Sequence, residues 1–148
     1  MGELSHVDEG GTVRMVDVGG KPQSRRRATA RATVRMAPAT AERLRSLPKG
    51  DALVTAQLAG VMAAKRTSDL IPLCHPLPLT HVDVDVAVTE GGVDIVATAE
   101  TTAQTGVEME ALVGASIAAL TVYDMAKAID KEMVVSDVSL VEKTKESA

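Results

Sequence analysis

The sequence predicts an α+β domain, and three patterns carry that expectation. Ala28, Ala30, Ala32, Val34 and Met36 alternate strictly with Arg27, Thr29, Arg31, Thr33 and Arg35, the period of a half-buried strand. Val82, Val84, Val86 and Val88 repeat that alternation against His81, Asp83, Asp85 and Ala87, and the turn Glu90-Gly91-Gly92 joins them to Val93, Ile95, Ala97 and Ala99. Two alternating runs joined by a glycine turn form a hairpin. An alanine-rich segment from about Gly106 to Asp130 has the spacing of one long helix instead.

Taken in order, residues 1–12 are polar, contain glycine and show no period. They predict a flexible N-terminal arm ahead of a single catalytic domain over residues 13–148. After the first strand, Pro38 and Thr40 open a short helix through Leu47, and Pro48-Lys49-Gly50-Asp51 makes a turn. Asp51 then caps a second helix whose Val54, Leu58, Val61 and Met62 are expected to face the core and which delivers Lys65 at its end. From Ala63 to Thr80 the chain is apolar but broken by Pro72, Pro76 and Pro78. Proline lacks a backbone donor, so this run is a rigid loop that displays Cys74 and His75, not a core strand.

Downstream of the hairpin, Thr105 followed by Glu108 matches a capping box. The long helix it opens is expected to turn Met109, Val113, Ile117 and Leu120 to the sheet. A last strand from Val134 to Val141 precedes a polar tail. The order strand, helices, strand, strand, helix, strand is that of a ferredoxin-like split βαβ sandwich, an antiparallel sheet with helices on one face. The alternation of Ala and Val leaves a second subunit as the expected cover for the other face.

Composition narrows the function classes. The 148 residues include no Phe, no Trp and one Tyr, so the core must come from small aliphatic side chains. A net charge of −4 argues against a nucleic-acid partner, whose affinity comes largely from phosphate neutralisation. Cations are nonetheless clustered at Arg25 to Arg27, at Lys65 with Arg66, and at Lys127 with Lys131, which suits a small phosphorylated ligand. The single Cys74 permits no internal disulfide and suits a reducing cytoplasm. No basic and apolar leader opens the chain, and no uninterrupted apolar run reaches spanning length, so neither a secreted nor a membrane protein is expected.

Asp124, Lys127 and Lys131 share one helix face three and four residues apart, beside Tyr123. A carboxylate next to an amine is an acid/base pair in which Asp124 orients Lys127. Neighbouring cations and partial burial can draw a lysine down from ~10.4 toward neutrality. Capping and dipole compensation account for Glu108, whereas Glu110 turns away from it and can reach a ligand. His75 is a donor to phosphate or a proton carrier. Adjacent residues of an extended loop point apart, so Cys74 and His75 do not form a nucleophile and base pair. No metal motif, P-loop or dinucleotide fingerprint is present, and no cofactor is expected. His75, His81 and Asp83 compose a metal-hydrolase alternative, weakened because His81 and Asp83 belong to a regular strand.

Five segments together are similar to the molybdenum cofactor biosynthesis protein C family. They are MVDVGGK at 15–21, KGD at 49–51, AAKRTSDLIPLCHPL at 63–77, TGVEMEAL at 105–112 and YDMAKAIDKEM at 123–133, and they span nearly the whole chain. The resemblance implies a cyclic pyranopterin monophosphate synthase, a lyase that converts 3',8-cyclo-7,8-dihydro-GTP to cyclic pyranopterin monophosphate and diphosphate. It implies Asp124 and Lys127 as the catalytic pair. Leu73, Cys74 and His75 would line the substrate, Met109 and Glu110 would contact it, and Lys49, Arg26 and Lys143 would belong to the basic site. It also implies a hexamer, a trimer of dimers, with sites at the dimer interface.

The residues agree with that chemistry. A triphosphate needs cations, which Lys49, Lys65, Arg66 and the Arg25 to Arg27 run can supply, and Glu108 joins Glu110 at the start of the helix. After Lys143 the chain reads TKESA, where family members often continue in a glycine-rich basic segment. The alternative is a ferredoxin-like phosphometabolite-binding domain without catalysis, which would have no need of the Asp124 and Lys127 pair.

Overall fold

The structure, a computed structural model, describes residues 4–148. Its elements are β1 (Ser24–Arg35), α1 (Pro38–Ala41), α2 (Ala52–Lys65), α3 (Thr67–Leu70), β2 (Leu79–Thr89), β3 (Gly92–Ala103), α4 (Glu108–Ala126) and β4 (Val134–Ser147). The strands form one sheet in the order β2-β3-β1-β4, and every neighbouring pair is antiparallel. This is the expected ferredoxin-like sandwich. The alternation of β1 places Ala28, Ala30, Ala32 and Val34 under the helices, in one core with Val93, Ile95, Ala97 and Ala99 of β3.

The open face of the sheet differs from expectation. It carries Arg27 paired with Glu100 at 3.3 Å and with Glu142 at 3.1 Å, and Thr29 hydrogen-bonded to Thr98 at 3.3 Å. The Ala and Val alternation of β1 therefore lies on the helix side, and the outer face mixes these ion pairs with the exposed Val96 of β3.

Packing of the helices also departs from the sequence reading. The residues that α2 buries are Ala52, Leu53, Ala56, Gly60, Ala63 and Ala64. Those of α4 include Ala111, Ala115, Ala118, Ala119, Val122 and Ala126. Val54, Leu58, Met62 and Leu120 are instead exposed and Met109 and Ile117 half-buried, whereas Val113 is buried as expected and Val61 packs half-buried against the core. Backbone proximity explains the inversion. A Cβ on Gly60 would stand 2.9 Å from the Gly114 carbonyl oxygen and 3.2 Å from Ala118 Cβ, so α2 and α4 touch through their smallest side chains. Larger residues are forced outward, because close-packed interiors admit no extra volume. By length and composition α4 could cross a membrane, yet its buried face belongs to this core.

Helix termini are mixed. Asp51 caps α2 as expected, its carboxylate accepting from Leu53 N–H at 2.9 Å and Val54 N–H at 3.2 Å. The capping box at α4 does not form: Val107 is the cap residue and no side chain caps it, while Thr105 Oγ1 donates to the Gly106 carbonyl at 3.4 Å. The short helix after β1 is one turn, with hydrogen-bonded turns continuing to Leu47. The supposed polar tail is strand: Arg26 pairs with Lys145 and Ala28 with Lys143.

Gly60→Val should lower the unfolding free energy by about 2–3 kcal/mol, the cost of overpacking a tight contact. Gly91→Ala, whose added Cβ meets nothing within 4 Å, should change it by less than about 0.5 kcal/mol. Urea unfolding of both variants checks the contrast.

Candidate functional site

The candidate residues gather at the two ends of α4. At its C-terminal end, the turn from Leu47 to Gly50 closes with paired backbone hydrogen bonds and Gly50 at φ 114°, a conformation that favours glycine. This turn aims Lys49 at the helix. Lys49 Nζ donates to Asp124 Oδ2 at 2.9 Å, and Lys127 Nζ pairs with Asp124 Oδ1 at 2.9 Å. Lys131 turns aside to donate to the Lys127 carbonyl at 2.7 Å.

One carboxylate thus sits between two ammonium groups. The hydrogen bond from Lys49, then that from Lys127, draws Asp124 down to about 2. Lys127 moves the opposite way from the sequence expectation. Its hydrogen bond to Asp124 raises it, because an adjacent anion favours the charged amine and this exposed position supplies little desolvation to oppose it.

At the N-terminal end of α4, the proline loop meets the first helical turn around a cavity of ≈ 360 Å³. Leu73, Cys74 and His75 line it from the loop, and Glu108, Met109 and Glu110 from the helix. Glu110 is buried. Desolvation pushes its carboxyl up, with a smaller contribution from Glu108. Burial likewise raises the Cys74 thiol, and Glu110 and Glu108 add to the shift. Cys74 is therefore a lining thiol, with the microenvironment of an inert cysteine rather than a nucleophile.

A second cavity of ≈ 420 Å³ adjoins the first through Gly106 and Glu108, which line both. Its cations are Lys21, Arg26, Arg27, Lys143 and Lys145. Arg26 Nε and Glu108 Oε2 are buried without a hydrogen-bond partner. Such atoms cost on the order of 1–3 kcal/mol each when unsatisfied, which favours a polar ligand beside them.

Leu73, Cys74, His75, Met109, Glu110, Glu108, Arg26 and Lys143 therefore come together as two adjoining cavities. Lys49, Asp124 and Lys127 form a separate cluster about 24 Å away along α4, at ~1.5 Å per residue. Lys65 and Arg66 are exposed and line neither cavity; Arg66 borders a shallow apolar groove with Met62, Leu70 and Ile117. Among the described residues, no three His, Cys, Asp or Glu side chains converge as metal ligands.

Three contributions escaped the sequence reading, one of them Lys21, which lines the second cavity. Lys145 was hidden in an apparent tail, although Lys143 and Lys145 alternate with Thr144 and Glu146 at strand period. Ser5, His6, Val16 and Val18 also line the first cavity, and nothing in the pattern of those early residues signals it.

An antiparallel α+β sandwich with a basic cavity and a carboxylate clamped between two amines defines a protein built for a small anionic ligand. Residues 15–146 match the MoaC family, and the chain belongs to that family. It is 57% identical over 145 residues to the cyclic pyranopterin monophosphate synthase of Novosphingobium aromaticivorans, covering 97% of this chain and 92% of that protein. Identity is also 57% over 148 residues to the protein of that name from Roseiflexus sp., covering 97% and 94%. With the Streptomyces coelicolor protein of the same name it is 55% over 143 residues, covering 95% and 84%.

Carbon-detected NMR should find the Asp124 carboxyl titrating with a midpoint about 2, and Lys49→Met should raise that midpoint. A folded value below the unfolded ~3.9 means that the cluster stabilises the fold above about pH 4 and ceases to as pH falls through 2. An unchanged midpoint in Lys49→Met would contradict the dominance of that hydrogen bond.

Proposed function

We propose that this chain is a cyclic pyranopterin monophosphate synthase, a lyase of molybdenum cofactor biosynthesis that converts 3',8-cyclo-7,8-dihydro-GTP to cyclic pyranopterin monophosphate and diphosphate. The observation that carries the reading is identity of 57% over nearly the full chain with proteins of that name. In the reaction a ribose hydroxyl attacks the α-phosphorus, a new phosphorus–oxygen bond forms and diphosphate departs. Negative charge accumulates on the leaving group, and positioned cations stabilise it.

The geometry supports a division of labour. The first cavity, with Leu73, Met109, His75 and Glu110, suits a heterocycle: apolar walls cover its faces and a carboxylate can accept from an N–H edge. Lys21, Arg26, Lys143 and Lys145 suit the phosphates. Lys127, held as a cation by Asp124, can donate a proton or neutralise developing charge, and Asp124 fixes its position.

One ligand can engage the cavities and the Lys49–Asp124–Lys127 cluster only if a second copy brings its cluster to this copy's cavity. The proposed enzyme is accordingly a homo-oligomer with composite sites; the hexamer of three dimers is what the family resemblance implies, and the cytoplasm is the compartment that the single cysteine suits. Exposed Val54, Leu58, Met62 and Leu120 supply apolar surface for its contacts. Lys49 lies in the same cluster as Asp124 and Lys127, so one subunit supplies all three, and His75, at the other end of α4, belongs to the cavity that the second subunit supplies.

Incubation with the cyclised triphosphate should release diphosphate and the pterin product. Asp124→Ala and Lys127→Ala should each reduce kcat by about 10²-fold or more with thermal unfolding nearly unchanged. Near-wild-type turnover in either variant discards the pair.

Lys127→Ala and His75→Ala proteins, dissociated and reassembled together, should regain part of the activity through sites intact at both ends. The mixture of Lys49→Ala and Lys127→Ala should stay inactive, because both changes fall in one cluster. Sedimentation as a monomer at micromolar concentration would refute the composite site.

A further inference from the structure

The segment ahead of β1 folds against the first cavity. Val7 and Val13 form an antiparallel bridge, and Arg14 N–H donates to the His6 carbonyl at 2.7 Å. Asp8 Oδ1 closes the turn by accepting from Gly10 N–H at 3.0 Å and Thr12 N–H at 2.8 Å. These bonds shape residues 6–14 into a small hairpin tongue. Behind it, Val16 and Val18 sit over the cavity with Ser5 and His6.

One hydrogen bond fastens this segment. His75 Nε2 meets the Val16 carbonyl at 2.6 Å, and among the described residues it is the only hydrogen bond from residues 4–22 to the rest of the chain. Opening therefore breaks one hydrogen bond to the rest of the described chain, the profile of a low-stability element. The same bond commits His75. A carbonyl only accepts, so Nε2 carries the hydrogen and spends it on the backbone.

His6 is the other imidazole of the cavity. Its Nδ1 is held by Ser5 Oγ at 2.9 Å, and no other described side chain bonds the ring, so its Nε2 has no described partner in a residue that lines the cavity. The remaining polar side chains there include the carboxylates of Glu108 and Glu110, acceptors that cannot serve an anionic oxygen when ionised. An imidazole N–H can.

We propose that His6 is a substrate-contacting residue carried on a lid: the N-terminal tongue closes over the cavity, latched by His75 to Val16, and His6 Nε2 hydrogen-bonds the bound nucleotide-derived substrate. This rests on the reaction proposed above. Closure excludes water from one side of the bound ring system and adds an imidazole donor to the thiol and hydroxyl of the fixed walls.

Three measurements on the full-length chain test it. His6→Gln and His6→Ala should lower kcat/KM about tenfold or more, the effect of losing a hydrogen bond to a charged or polarised group, with the thermal midpoint unchanged. Added imidazole should restore part of the His6→Ala activity, which a merely structural role would not allow. In Lys127→Ala protein, saturating cyclised triphosphate should slow tryptic cleavage after the exposed Arg14 severalfold. His6→Gln at the wild-type kcat/KM, or cleavage after Arg14 at the same rate with and without substrate, would overturn the lid contact. Wild-type protein without turnover would instead overturn the reaction itself.

Discussion

The close approach of α2 to α4 is the constraint on which the rest depends. A chain with no Phe or Trp cannot fill wide gaps between layers, so its helices must lie near the sheet and near each other. Gly60 against Gly114 and Ala118 makes that possible, and the alanines of both helices line the contact. Fixing α4 in this way fixes both of its ends. One end meets the Lys49 turn, the other meets the proline loop and β1, and every candidate functional residue but Lys65 and Arg66 is held at one of these two junctions.

Charge is distributed as the packing requires. The protein is acidic overall, yet its cations are concentrated where β1 and β4 run past the start of α4. Antiparallel register sets Arg26 beside Lys145 and Ala28 beside Lys143, so residues from opposite ends of the sequence share a cavity. Arg27, the neighbour of Arg26, also lines that cavity, but strand alternation sends its guanidinium to the outer face, paired with Glu100 and Glu142. Strand alternation, not residue type, thus decides which arginine of the run is available to a ligand.

The sheet was legible in the sequence because period-two alternation survives any choice of residue size: β1, β2 and β3 all follow it. Helical faces were not. The expected stripes of Val54, Leu58 and Met62 and of Met109, Ile117 and Leu120 assume that the largest apolar residues are buried, and a glycine and alanine contact reverses that order. Of the site, the pair Asp124 and Lys127 follows from helical spacing alone. Its third member, Lys49, is 75 residues from Asp124 in sequence and came from the resemblance to a family. The direction of the Lys127 shift was misread because sequence spacing shows neither exposure nor which neighbour is nearest.

Protonation states then separate the roles of the two junctions. At the C-terminal end of α4, Asp124 and Lys127 stabilise one another in their charged forms and Lys49 adds a second hydrogen bond to the carboxylate, so that end presents two ammonium groups around one anion. At the N-terminal end, desolvation resists ionisation of Glu110 and Cys74, so the wall of the first cavity acts by shape and hydrogen bonding, beside the cations of the second. A reaction that expels diphosphate needs both environments: a dry wall that orients a ring system, and ammonium groups that meet the charge as it forms. α4 is too long for one copy to offer them to the same atom. On the proposed reading, catalysis falls to an arrangement in which the charged end of one chain completes the recessed end of another.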